Sequence, residues 1–174
     1  MAPRAAARLQ TLGFDDVNEY SAGKLDWLAA GLPTDGENSK LPRAGDIARE
    51  DVPVSSLKER VGDVRDRAKA SGWEAAVVID DERVVLGLMR AKELAKDDDL
   101  IAERAMRPGP STFRPYVSIK EMADYMVEHS LESSPVTTSD GKLVGLLLQK
   151  DAVECAASAN PCTRRLIRDP VAEA

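Results

Sequence analysis

Apolar residues recur at helical spacing twice in the chain, as Val61, Val64 and Ala68 and again as Ile119, Met122 and Met126. Steps of three and four residues place each set on one face, which predicts amphipathic helices over about 58 to 70 and 116 to 129. Behind the first helix come two short apolar runs, Ala75-Ala76-Val77-Val78-Ile79 and Val84-Val85-Leu86-Gly87-Leu88-Met89, separated by the charged stretch Asp80-Asp81-Glu82-Arg83. That pattern reads as strand, turn and strand. Behind the second helix the same order returns, and there the turn is Ser139-Asp140-Gly141-Lys142. Asp-Gly favours a hairpin because glycine accepts a positive φ. A further helix is predicted to begin near Ala91 and another near Lys150.

Setting Gly87 over Gly145, a shift of 58 residues, aligns the apolar positions without a gap from about Val54 to Leu94. Val61 falls on Ile119, Val64 on Met122, Ala68 on Met126, Trp73 on Leu131, Val78 on Val136, Val85 on Leu143 and Leu88 on Leu146. The chain therefore carries an internal repeat of a β-α-β-β-α unit. One such unit has too small a core to stand alone, and two packed as a pseudo-symmetric pair bury both sheets and leave a cleft at the seam. The expected division is residues 1–33 as a separate N-terminal fragment, 34–45 as linker, 46–100 and 101–160 as the two copies, and 161–174 as a tail.

Composition narrows the chemistry. The chain has 174 residues and a formal net charge of -6, with 31% charged and 4% aromatic residues. An acidic surface with few stacking platforms argues against nucleic-acid binding, and no apolar run is long enough to span a membrane. Without a signal-peptide pattern, a cytoplasmic location is the expectation. Cys155 and Cys162 form neither a disulfide framework nor a zinc pattern and are expected to be packing or surface residues. His129 is the only histidine, which excludes His-dependent triads and multi-His metal sites. Asp97-Asp98-Asp99 lacks the glycine-bearing calcium loop and reads as a solvated connection. Arg164, Arg165 and Arg168 make a small basic patch running into a frayed end. No phosphate-cradling loop or nucleophile elbow is present, so no enzyme activity and no required cofactor are expected.

Ser134-Pro135-Val136, followed by Asp140-Gly141-Lys142-Leu143-Val144-Gly145-Leu146-Leu147-Leu148-Gln149-Lys150-Asp151, resembles the second half of a CBS domain, the module named for cystathionine β-synthase. Met106-Arg107-Pro108 and Ser111-Thr112-Phe113 resemble that family's lead-in to a second copy. The resemblance covers about Asp46 to Ala157 and implies an α/β (α+β) fold, a tandem CBS pair. It also implies an adenosine-containing ligand, of which AMP, ADP, ATP and S-adenosylmethionine are candidates, bound in a cleft between copies. The family motif runs Gly, two apolar residues, Thr or Ser, two variable residues, then Asp.

Both copies depart from that motif. In the second, Gly145 and Asp151 are present while Leu148 stands at the hydroxyl position; in the first, Arg90 takes that position and Glu93 the carboxylate position. A carboxylate there accepts hydrogen bonds from ribose hydroxyls, and Arg90 is a charged substitute for a phosphate-binding hydroxyl. The expected nucleotide-binding set is Thr112, Arg114, Ser134, Pro135, Val136, Lys150 and Asp151, with Arg90 and Glu93 at the first copy. The alternative reading is structural. Asp151 and Glu93 also suit the positive ends of their helices, Thr112, Arg114 and Lys150 also suit a solvated surface, and close strand packing explains Gly87 and Gly145.

The N-terminal residues differ in character. Pro3 to Leu12 reads as a helix ended by Gly13, Phe14 to Tyr20 as a strand with Val17 inward, and Ala22 to Leu28 as a turn into a short helix, with Phe14, Trp27 and Leu28 as anchors. The turn-rich run from Leu32 to Pro42 reads as the linker. Ala5-Ala6-Ala7-Arg8-Leu9, Leu12-Gly13-Phe14, Val17, Gly23, Trp27 and Gly31-Leu32-Pro33 together resemble the last third of a rhodanese domain, implying a small αβα fragment. Neither cysteine lies where that family's sulfur carrier would, so sulfur transfer is not expected. The fragment is expected to pack on the pair or on a second chain or to remain mobile; the alternative is that the true start lies upstream.

The expectation from sequence is therefore a non-enzymatic regulatory module that senses an adenosine-type ligand, forms a homodimer through the pair and signals to an effector protein. Met122, Tyr125 and Met126 are its expected exposed apolar helix face. The alternative is a ligand-free dimerisation scaffold with degenerate sites.

Overall fold

The repeat seen in the sequence is a repeat in space. A computed structural model describes residues 2–20, 23–29, 32, 35–36 and 41–158. The elements in chain order are α1 (Ala2–Thr11), α2 (Gly23–Ala29), α3 (Ala44–Ile47), β1 (Val54–Ser55), α4 (Val61–Ala70), β2 (Ala75–Ile79), β3 (Val85–Arg90), α5 (Ala91–Leu94), α6 (Ala102–Ala105), β4 (Arg107–Pro108), α7 (Ile119–Glu128), β5 (Ser133–Thr137), β6 (Leu143–Leu148) and α8 (Gln149–Ala157). Helices α4 and α7 start three residues later than the apolar spacing predicts. The residues before them are extended: Arg60 bridges Ile101, and Ser118 bridges Arg43.

β1 to β4 form one sheet in sequential order, and β5 pairs antiparallel with β6 in the other. The 58-residue shift maps the pairings onto one another. Ser55 lies beside Val78 in parallel, and Phe113 lies beside Val136 in the same sense. Leu88 pairs with Arg107 from the lead-in to the second copy, while Leu146 pairs with Arg49 from the lead-in to the first. Each copy's lead-in thus lies against the other copy's sheet. The hairpin turns meet where Val84 bridges Lys142, with Val85 N–H donating to Gly141 O at 3.0 Å and Leu143 N–H to Arg83 O at 2.9 Å.

The exchange also builds the cores. One cluster joins Val61, Val64, Ala68, Val77 and Met89 to Leu143 and Leu146 of the second copy, and the other joins Ile119, Met122, Met126 and Leu147 to Ala44 and Ala48 of the first lead-in. Ala44 is fully buried, so the expected linker gives way to packed structure by that residue. Met122 and Met126 are 1% and 0% exposed, which corrects the expectation that they face outward. The exposed apolar residues on this face are Tyr125, Val127 and Val153. Cys155 packs in the second core and is disulfide-bonded rather than a plain packing thiol, and its sulfur partner lies outside the described residues, as does Cys162.

Two turns show how each copy solves the same backbone problem. The residue closing the turn after the first helix has positive φ in both copies, as Gly72 at 71° and Ser130 at 51°. The hairpin position is Arg83 at 67° in the first copy and Gly141 at 85° in the second. Side chains that fasten the hairpins differ as well. Asp80 Oδ1 accepts from Val84 N–H at 2.8 Å, and at the matching place Thr138 Oγ1 accepts from Lys142 N–H at 3.1 Å.

The N-terminal segment does not take its expected form. Among the described residues no strand forms over Phe14 to Tyr20, and before residue 41 only α1 and α2 are regular. Phe14 is 58% exposed and is no anchor. Trp27 instead meets Tyr20 edge to face, with ring centres 5.2 Å apart. Ala22, Gly31, Pro33, most of the linker and the basic tail with Arg164, Arg165 and Arg168 lie outside the described residues.

Candidate functional site

The two acids expected to hold ribose occupy matching places, each in the first turn of the helix that follows a strand, yet they do different things. Glu93 is 7% exposed, and its Oε2 accepts from the Arg90 backbone N–H at 3.1 Å. This satisfies a free donor at the start of α5, so the carboxylate caps its own helix. Asp151 stands at the start of α8, where Leu148 precedes the helix and offers no capping group. It is half-buried and makes no hydrogen bond among the described residues. A carboxylate at this end of a nine-residue helix sits in the favourable field of the exposed N–H groups.

Arg90 is also engaged. Its Nη2 donates to Ser133 O at 2.9 Å and its Nε to Ser133 Oγ at 3.3 Å, linking the end of β3 to the start of β5 across the two copies. At the matching place Leu148 has no donor to give. In the first copy both expected side chains are therefore engaged within the chain, whereas in the second the Asp151 carboxylate makes no side-chain hydrogen bond among the described residues.

The other expected residues divide between two ends of β5. Ser134 is buried, and its Oγ donates to Ser111 O at 2.7 Å, while Phe113 N–H donates to Pro135 O at 3.0 Å. These bonds lay the 111–113 loop along β5 and leave Thr112 exposed beside it. Pro135 and Val136 are buried in the strand. Ser133 pairs with Leu148, so this end of β5 adjoins the start of α8, with Asp151 and the exposed Lys150. Arg114 lies at the far end. Its Nη1 donates to Thr137 Oγ1 at 2.9 Å and to the carbonyl of Thr138. Four strand residues at about 3.3 Å each separate the two ends by about 13 Å. Arg114 fastens the strand end and does not share a corner with Asp151.

The structure adds one residue that the motif reading passed over. Arg49 exchanges both backbone hydrogen bonds with Leu146, each at 2.9 Å, which lays it against β6 just before the Asp151 helix. A Cβ on Gly145 would come within 2.8 Å of Arg49 O, so the glycine is required by this close approach. Gly87 is fixed in the same way by the Met106 side chain and Arg107 O. The structural reading of both glycines therefore holds without a ligand.

Arg49 forms a paired contact with Asp51, Nη2 to Oδ2 at 2.7 Å and Nε to Oδ1 at 3.1 Å, and its guanidinium lies 4.1 Å from the Trp73 ring centre. The Asp51 hydrogen bonds hold the Arg49 pKa above its ordinary value against partial burial, and the charges of Asp51 and then Asp151 add to this. In return, Arg49 holds the Asp51 carboxyl below the usual range, with a smaller contribution from the Trp73 indole N–H at 3.3 Å. The repeat itself carried the signal, because Arg49 falls on Arg107 under the 58-residue shift.

Two α+β copies, each completed by its neighbour's lead-in, make the CBS-pair fold. Residues 98–158 match the family model described as CBS domain. The fold is similar to that of CBSX2 in complex with AMP, with a TM-score of 0.60 at 22% identity, covering 66% of this chain and 96% of that one. It is also similar to the cytosolic domain of the Mg2+ channel MgtE in complex with ATP, with a TM-score of 0.59 at 19% identity, covering 65% of this chain and 48% of the other. Among curated proteins, the inosine-5'-monophosphate dehydrogenase of Nitrosopumilus maritimus (strain SCM1) is 26% identical over 114 residues, or 64% of this chain and 24% of the relative. The chain thus spans about a quarter of the length of that relative. Among the described residues no helix is long and apolar enough to cross a membrane, and no cluster of His, Cys, Asp or Glu is arranged to hold a metal ion.

Proposed function

We propose that the chain is a regulatory, non-catalytic CBS pair that binds an adenosine-containing ligand at the Asp151 corner of the second copy. The observation that carries this reading is the contrast between Glu93, which caps its own helix, and Asp151, a half-buried carboxylate with no hydrogen bond among the described residues. Asp151 accepts from ribose hydroxyls, the exposed Thr112 and Lys150 lie along the ligand, and the backbone around Ser134 to Val136 lines the side of the base. The AMP in CBSX2 and the ATP in MgtE support this ligand class. Ligand binding acts on a cytoplasmic effector protein by favouring one arrangement of the two copies, which requires different affinities for the two arrangements.

A thermal-shift series with adenosine, AMP, ADP, ATP and S-adenosylmethionine, followed by calorimetry on the best binder, tests it. A ligand selective for the folded state raises Tm in a saturable way. Asp151→Ala weakens that ligand by about 1.5–3 kcal/mol through loss of charged hydrogen bonds and leaves the fold intact. Equal affinity in both proteins removes Asp151 from the site.

A second reading, an empty scaffold that dimerises through its helices, is favoured by Leu148 at the hydroxyl position and by the exposed Tyr125, Val127 and Val153. A groove of about 430 Å3 between α7 and α8 has an apolar side of Ala123, Val127, Val153, Ala156 and Ala157 and a charged side of Lys120, Asp124 and Glu128. Val153→Asp abolishes a homodimer built on this face, as read by sedimentation. No thermal shift at millimolar ligand from a folded dimer favours the scaffold.

A further inference from the structure

Leu148 leaves the second cleft without the hydroxyl that would meet an anionic group, yet a cation stands beside it from the opposite copy. Arg49 belongs to the lead-in of the first copy, and its backbone is locked to Leu146 on the strand that ends at Leu148. Its contact with Gly145 is so close that a single methyl group would disturb it. The Arg49 side chain is 34% accessible, and that of its partner Asp51 51%. The Asp151 charge acts on it. Arg49 is thus held by its backbone against the strand that runs into the Asp151 helix, seated over the Trp73 ring, and paired with a carboxylate that water and ions can reach.

We infer that Arg49 sets the ligand class of the Asp151 corner by exchanging its paired contact with Asp51 for one with a phosphate of the ligand. This rests on the binding reading given above. Guanidinium suits the exchange because its two parallel N–H donors match a phosphate as well as a carboxylate. Asp51 competes with the ligand for the same donors, and Trp73 limits the side chain's freedom on either partner. The corner therefore favours phosphorylated adenosine over adenosine itself.

Calorimetry with adenosine and AMP separates the parts. In the unaltered chain AMP binds about tenfold or more tightly than adenosine, the scale of one charged hydrogen-bonding pair. Arg49→Gln brings AMP to the level of adenosine without changing adenosine, and Arg49→Lys restores part of the difference. Asp51→Asn, which removes the competitor, strengthens AMP a few-fold; a purely structural clamp would make the same change weaken it. In a Trp27→Phe background the remaining indole reports the exchange directly, with Trp73 emission changing on AMP and silent on adenosine.

If AMP is no tighter than adenosine, or Arg49→Gln weakens both equally, Arg49 has no part in selecting the ligand while the Asp151 reading stands. If neither compound binds the unaltered, folded chain, the binding reading fails and this inference falls with it.

Discussion

The first and second copies share a backbone plan and diverge in what their side chains are free to do. In the first copy, Glu93 caps α5, Arg90 reaches across to Ser133, and the α4 surface carries Asp63, Asp66, Arg67 and Lys69. In the second, Asp151 is uncommitted, Leu148 replaces the arginine, and the exposed face of α7 and α8 carries Tyr125, Val127 and Val153. The pairing of Ser55 with Val78 and of Phe113 with Val136 is unaffected. Backbone pairing and buried apolar positions specify the fold, and the few positions at strand-to-helix corners tolerate opposite uses.

The shared cores imply that the two copies fold together rather than separately. Leu146 is fully buried and joins the first copy's core while belonging to the second. Leu146→Ala is expected to cost about 2–5 kcal/mol and to lower one shared unfolding transition. Two separate transitions in a calorimetric scan, only one of them shifted, would show independent copies. Next in size is Gly145→Ala, which forces its Cβ against Arg49 O and is expected to cost about 1–3 kcal/mol in denaturant titration. An unchanged midpoint would mean that the lead-in moves away freely.

The corners give a smaller and more selective effect. Glu93→Ala is expected to destabilise by about 1 kcal/mol through the lost cap, whereas Asp151→Asn, lacking any such bond, leaves stability within about 0.5 kcal/mol. Equal losses would erase the distinction between the copies. The two left-handed positions sharpen it in the opposite direction. Arg83→Gly and Ser130→Gly relieve a conformation that side chains rarely adopt, an effect of about 1 kcal/mol each, offset in part by the added freedom of the unfolded chain. Arg83→Gly in the first copy reproduces what Gly141 already does in the second. A fall in Tm for both would show that these turns carry no strain.

The smallest effect is on acid stability. The Arg49 hydrogen bonds hold Asp51 below the usual carboxylate range, so this pair stabilises the fold at pH values above that range. The contribution is lost as pH falls through the depressed value and Asp51 takes up a proton. Asp51→Asn should flatten the acid limb of a stability-against-pH curve and leave the neutral limb unchanged apart from a constant offset. The side chains are partly exposed and screened by solvent, so the expected difference is slight.

Much of the architecture was legible in the sequence because the repeat is gapless and its apolar positions have one job. Val61, Val64 and Ala68, like Ile119, Met122 and Met126, declare their helices by spacing alone, and Asp140-Gly141 declares its turn. Spacing could not say that Met122 and Met126 point into their own core, since an amphipathic stripe looks the same whichever side it covers. Nor could it say that Glu93 would bend back to its own backbone or that Arg114 would fasten the end of β5. A motif orders residues along the chain, while Arg49 enters the second corner from the lead-in of the first copy. The expected strand from Phe14 to Tyr20 had weaker support in the sequence, because Phe14, Val17 and Tyr20 recur every third position rather than alternating.

The exchanged lead-ins also govern when the molecule can become itself. Arg49 bonds Leu146 across about 100 residues of chain, and closing so long a loop must precede the reward of the contact. A growing polypeptide therefore holds the first core open, with its apolar face unmet, until the last hairpin has emerged from the ribosome. Synthesis and folding are coupled late rather than copy by copy. Slow translation over the second hairpin would lengthen the interval in which the nascent first copy is open to chaperones or to its neighbours on the same message.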